Sequence, residues 1–437
     1  MTYIALLLAI LSIFVLLICN KRYGLISPSG MVISLIILNI IGFVLVEFYK
    51  IHSDSQIIHS YKFDYSYIPI QMPFIIYYSI ALLFFIFISE LSRARKQSPA
   101  RFAFSIPRTK STFIISFFAI SSLLIVAGIH AIITDMSFLK TYNLYLQLRD
   151  PRFFNIDNRA LQVIHGSVGF LGFISAGALF LSIKLRNIIL VTMSIIVFSY
   201  FGAFQAASLS RWLALQIGFL VLLLLSDNKT RTNIITIIGL FAAPAAYFGA
   251  MNGRDSNDLG IGAFFQGIFS GASSDFFIHT IANIFGGGLV FSEAATRSGT
   301  TYPFIFKILS FSPLPSAIDN FQSVRAIHDV RINIFGPFST YAELYWFDPQ
   351  WLILFLIITG ASLYTSQRAW NISSNKLSTR VLALLSFSMT VYGHLFTHQY
   401  PIRSSLRWII IAGILGCISI YIEHKDQRSK PRPQIFR

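Results

Sequence analysis

Apolar runs of roughly 17 to 23 residues, separated by polar segments, recur along almost the whole chain. Each run is long enough to cross a hydrocarbon core about 30 Å thick as a helix. The pattern predicts eleven spans, at 3–19, 31–49, 73–91, 112–134, 161–183, 188–207, 209–226, 234–250, 351–367, 380–397 and 407–423. No soluble domain, low-complexity tract or internal repeat interrupts them. The reading is therefore an all-α, polytopic integral membrane protein, with residues 1–437 forming a single transmembrane domain. The first run lacks a positive segment ahead of it, and Lys21 and Arg22 follow it. It reads as a retained helix, not a cleaved signal.

Between the eighth and ninth spans, 251–350 reads as one large loop. Its middle, "FFIHTIANIFGGGLVF" at 276–291, sets Phe277, Ile281, Ile284 and Phe285 at helical spacing. A further crossing there would move the basic C-terminal tail to the other side. The expectation is a helix lying on, or dipping into, the outer leaflet.

Composition agrees with this class. The chain is 55% hydrophobic and 12% charged, whereas soluble proteins have about 25% charged residues. Charge also sets the expected orientation. The segment "SRARKQSPARFAFSIPRTK" holds six cations and no acid, which marks it as cytoplasmic. Alternating outward from it, the cytoplasmic segments carry the whole formal net charge of +16 and the outer segments carry none. This places the N-terminus outside, the C-terminus inside and loop 251–350 outside. The basic balance then reflects insertion and contact with membrane lipid, with no case for nucleic acid. Cys19 and Cys417 both fall in apolar runs, so no disulfide framework is expected.

Nucleotide, serine-hydrolase and zinc-protease motifs are absent from the sequence, and no metal or cofactor is expected. Chemistry, if the chain performs any, is driven by an activated substrate. The outer segments favour arginine, whose planar fork matches phosphate oxygens. Arg211 sits in a tight turn between two apolar runs, and Arg254 follows a span in the Gly/Asn-rich "YFGAMNGRDSND". Arg325, His328, Asp329 and Arg331 share seven residues, and His394, His398, Arg403 and Arg407 flank the last outer turn. Any single arginine here can be a snorkelling or paired charge. As a set at span ends, they point to an anionic ligand at the outer membrane surface.

The stretch "NIFGPFSTYAELYWFDPQW", 333–351, precedes a late span. Tyr341, Tyr345, Trp346 and Trp351 alone read as an interfacial aromatic belt. That leaves Glu343 unexplained. A carboxylate among aromatic rings is common equipment for sugars, with rings on C–H faces and the carboxylate on hydroxyls.

Within this stretch, "GPFSTYAELYWFDP" resembles the G-E-L-Y-x-x-F-G segment of Wzy-type O-antigen and capsule repeat-unit polymerases. Glu343, Leu344, Tyr345 and Phe347 match it; Ala342 stands where a glycine is common, and Asp348-Pro349 replaces the later glycine. The resemblance implies a membrane glycosyltransferase at the periplasmic face of a bacterial inner membrane. Its N-terminus would be periplasmic and its C-terminus cytoplasmic. It would transfer a glycan from an undecaprenyl-diphosphate-linked oligosaccharide donor to a lipid-linked acceptor, alongside a chain-length regulator protein. Arg211, Arg254, Arg325, Arg331 and Arg403 would then hold the diphosphate. Glu343, His328 and His398 are the candidate bases, and Tyr341, Tyr345 and Trp346 the sugar platform. An O-antigen ligase, with a different acceptor, and a lipid-linked oligosaccharide flippase or transporter are the alternatives.

Overall fold

The computed structural model of the protein describes residues 2–24, 27–52, 72–92, 109–139, 147–226, 234–255, 258–270, 302–314, 339–372, 377–398 and 400–429, with positions 291, 295, 321 and 324. Among the described residues the regular structure is helical. In chain order the helices are α1 (Thr2–Tyr23), α2 (Pro28–His52), α3 (Met72–Ser92), α4 (Lys110–Ile133), α5 (Arg159–Gly166), α6 (Val168–Leu185), α7 (Ile188–Ala207) and α8 (Trp212–Ser226). They continue as α9 (Ile234–Asn252), α10 (Gly260–Ser270), α11 (Phe304–Phe311), α12 (Thr340–Trp346), α13 (Pro349–Ile372), α14 (Leu377–Thr397) and α15 (Ile402–Ser429). Each of the eleven predicted spans falls on this set. Among the described residues, eight helices are long and apolar enough to cross a membrane by length and composition: α1, α3, α4, α6, α7, α9, α13 and α15. The protein is an all-helical, polytopic membrane protein.

Three boundaries differ from the pattern, each for a local reason. The expected span 161–183 is broken at Ser167, whose φ of −94° and ψ of 1° separate α5 from α6. Gly166 and Ser167 are weak helix formers, and the Ser167 N–H still reaches the Val163 carbonyl at 3.0 Å, so the break is confined to one residue's backbone angles. The span expected from 209 starts at Trp212, because Leu209 turns the chain at a positive φ of 45°. Parts of 251–350 read as loop are helical, namely α10, α11 and α12. Phe277, Ile281, Ile284 and Phe285 lie outside the described residues.

Start signals act where the sequence supplies them. Thr109 caps α4 by accepting the Thr112 N–H at 3.2 Å, and Asn187 caps α7 through Leu190 N–H at 3.1 Å. Asp348-Pro349 is the stop-and-start between α12 and α13. Asp348 adopts a φ of 83°, and Pro349 opens α13 at the position where a missing N–H costs nothing. Asp348 therefore holds the left-handed backbone that glycine adopts most readily, which is the role of a glycine at that place.

The chain divides into two compact units, Met1–Ala100 with Ile281–Arg437, and Arg101–Thr280. In the first, α13 meets α15 at Gly413 and Gly416; a Cβ on Gly416 would lie 2.9 Å from the Thr365 carbonyl carbon. Hydroxyls tie both helices to α14: Ser366 of α13 bonds Ser386 at 2.7 Å, Thr390 donates to Ser366 at 2.8 Å, and Ser386 donates to the Ala412 carbonyl of α15 at 2.8 Å. Small residues and hydroxyls of this kind hold helices together where lipid removes the hydrophobic driving force. Glu90, an acid at a span end, bonds Arg22 at 2.6 Å and so ties α3 to α1. In the second unit, Phe173 of α6 stacks on Phe219 of α8 at 4.1 Å, and Gly169 lets the Trp212 ring approach within 2.5 Å of where a Cβ would be.

Candidate functional site

In the second unit, the end of α7 gathers cations. The carbonyls of Ser208 and Leu209 point out of the last turn, where a helix leaves acceptors unsatisfied. Arg149 donates from Nε and Nη2 to the Ser208 carbonyl, at 3.0 and 2.7 Å, and from Nη2 to the Leu209 carbonyl at 2.8 Å. Arg254, in the turn that ends α9, donates from Nη2 to the same Leu209 carbonyl at 3.0 Å. Two like-charged forks thus meet at one oxygen. Arg211, two residues along, is half-buried and lies over the Tyr247 ring at 5.8 Å. Sequence reasoning singled out Arg211 and Arg254. It counted Arg149 among the outer arginines without singling it out, because Arg149 sits in a loop far from both in sequence and becomes their neighbour only through the fold.

In the first unit, the "STYAELYW" stretch forms α12 and is inserted among α3, α13, α14 and α15. Glu343 is 4% exposed, and its Oε2 accepts the Ile402 N–H at 2.6 Å, capping α15. Thr340 bonds the Tyr400 carbonyl at 2.7 Å and Ser405 at 3.0 Å. Tyr341 is fully buried between Tyr78, Phe355 and His398, with ring centroids 4.8, 6.0 and 5.9 Å away. Trp346 is buried near Tyr302, and Tyr345 is half-buried against Tyr77 and Phe291. The aromatic residues read as a surface belt or sugar platform are therefore largely core, because α12 turns their rings inward.

His398, one residue past α14, is buried, and its Nδ1 lies 3.1 Å from the Tyr78 hydroxyl. Burial, reinforced by neighbouring His394, lowers its pKa to about 3, so the ring is neutral at ordinary pH. Burial also raises the Tyr341 phenol above its usual range, which keeps it protonated. Among the described residues, the Tyr341 hydroxyl and the Nε2 atoms of His394 and His398 are buried with no hydrogen-bond partner. Each such atom costs about 1–3 kcal/mol unless a polar group meets it. Tyr78 is the member that sequence reasoning missed. Its only signal was "YY", two hydroxyls inside the apolar run "MPFIIYYSIALLFFIF".

Arg403 of α15 is buried at 5% exposure and donates to the carbonyls of Leu309 and, at 2.6 Å, Leu314, with Phe321 under its face at 4.2 Å. Arg407 bonds the Leu314 carbonyl at 2.6 Å. Both clasp the end of α11, a structural engagement. Arg325, His328 and Arg331 lie outside the described residues. Comparison with protein-family models, curated proteins and solved structures finds no match to this chain.

Proposed function

We propose that the protein is a membrane glycosyltransferase that polymerises undecaprenyl-diphosphate-linked oligosaccharide repeat units at the periplasmic face of a bacterial inner membrane. The observation that carries this reading is the meeting of Arg149 and Arg254 on the Leu209 carbonyl, beside Arg211, at one end of apolar helices. A diphosphate leaving group gains charge as it departs, and preorganised guanidinium donors stabilise that charge. Its polyprenyl tail stays in the bilayer, so a site at helix ends suits it.

Deleting the gene and resolving the surface glycan on a gel tests the reading. A polymerase predicts glycan capped by a single repeat unit. Loss of all such glycan would favour the ligase or flippase, and an unchanged ladder would reject the reading.

A further inference from the structure

A second buried cluster lies in the unit built from α4–α10 and takes no part in the reading above. His130 of α4 is fully buried and His165 of α5 is 5% exposed. His130 Nδ1 lies 2.6 Å from the Tyr200 hydroxyl of α7, and His130 Nε2 lies 3.1 Å from His165 Nδ1. The imidazoles are nearly parallel, at 16° and 5.2 Å, and Phe204, Phe138 and Phe154 wall the group. Thr134 completes the chain. Its hydroxyl donates to the His130 carbonyl at 2.8 Å, and its oxygen is within bonding reach of the Tyr200 hydroxyl.

We propose that His130, His165 and Tyr200 form a proton-binding site inside the helix bundle, which takes up one proton per pair of histidines. With the pair neutral, one N–H bridges His130 Nε2 and His165 Nδ1, and Tyr200 donates its proton to His130 Nδ1. When a proton from water adds to the Nδ1 lone pair, the Tyr200 O–H rotates onto the Thr134 oxygen. The phenol oxygen then accepts from Nδ1–H, while Nε2–H still donates to His165. Thr134 can receive that bond because its own proton is already given to the His130 carbonyl. The His130 and Tyr200 hydrogens have acceptors before and after: the bond between Tyr200 and Nδ1 reverses direction, the Tyr200 O–H takes the Thr134 oxygen in exchange, and no heavy atom is displaced. Hydrogen bonds to a charged donor are the strong ones, and ionisable groups inside a membrane bundle mark proton pathways more often than packing.

Charged residues on the flanking elements are Asp135 after α4, Arg149, Asp150, Arg152 and Asp157 in the turns before α5, and Arg159 at its start. Asp150 is tied to Arg152 at 2.9 Å. The His165 ring lies against the backbone of Leu148 and Arg149. The site thus communicates with an exposed segment through His165, while His130 and Tyr200 stay interior.

Nitrogen-15 spectra of histidine-labelled, full-length protein in lipid bilayers, taken from pH 8 to pH 4, test this directly. His130→Gln and His165→Gln assign the two rings among the nine histidines. The wild-type rings are expected to shift together, with one proton gained per pair. Tyr200→Phe, which removes the acceptor for Nδ1–H, should lower the midpoint by a pH unit or more, a tenfold loss of proton affinity. Two rings that stay neutral throughout the range in which the wild-type chain keeps its helical signal would overturn the proposal. So would independent titration, or a midpoint unmoved by Tyr200→Phe. The wild-type titration decides the matter even where a variant fails to fold.

Discussion

Glu343 of α12 caps the first N–H of α15, on Ile402, across 59 residues of chain at 2.6 Å. A carboxylate is favoured at a helix N-terminus by the exposed N–H groups and the helix dipole. Replacing it by alanine leaves a buried N–H without its acceptor. Glu343→Ala should lower stability by about 1–3 kcal/mol, measured as thermal unfolding in detergent. Glu343→Gln keeps an acceptor oxygen and should lose less. A proton-accepting role for Glu343 predicts the opposite division, in which Gln unfolds normally while the transfer rate falls by about 10²–10⁴.

Arg254→Lys and Arg149→Lys keep the charge and lose the fork. Both should shorten the glycan ladder at unchanged protein level, and the alanine variants should shorten it further. Removal of one preorganised donor typically costs about 10²–10³ in rate. Normal ladders from the alanine variants, with the protein present in the membrane, would remove these residues from the reaction.

Packing of α13 on α15 gives a prediction independent of function. The Cβ of Gly416→Ala would lie within 3.1 Å of the Ser366 backbone nitrogen and the Thr365 carbonyl oxygen. Backbone cannot yield as a side chain can, so the substitution should cost about 1–3 kcal/mol. Gly128→Ala meets nothing within 4 Å in the described structure and should be tolerated. Equal unfolding temperatures for the two variants would contradict this packing.

His398 sets an acid limit. Its pKa is about 3 in the folded chain against an ordinary 6.5. The unfolded chain therefore binds the extra proton first as pH falls. The stability that this neutral ring contributes is present above pH 6.5 and is lost as pH drops from there toward 3, by about 1.4 kcal/mol per pH unit for one proton. Unfolding midpoints measured from pH 7 to pH 4 should fall in the wild type and fall less steeply in His398→Gln. Parallel slopes would show that His398 is not held neutral.

The apolar periodicity made the helices legible because lipid demands long, internally bonded segments. Thr109, Asn187 and Pro349 carry start signals on single residues, but the apolar runs placed the spans at 112, 188 and 351 without them. The break at Ser167 and the turn at Leu209 depend on a few backbone angles that hydropathy does not encode. Arg254 could be found from its place beside a span. Its partnership with Arg149 could not, because it depends on where a loop 105 positions earlier in the sequence comes to rest. Glu343 was conspicuous as a lone acid among rings, yet its bond to Ile402 is tertiary, and a sequence shows the residue without the helix end it meets.

The activity proposed for this chain is the joining of lipid-linked repeat units. Purified protein in liposomes, given undecaprenyl-diphosphate-linked repeat units as both donor and acceptor, offers the most direct measurement. Mass spectrometry of the lipid extract should show the doubled glycan on one lipid and an equal amount of free undecaprenyl diphosphate, with both lost in Arg254→Ala. Unchanged repeat units, in the presence of folded protein and with no lipid diphosphate released, would contradict the account.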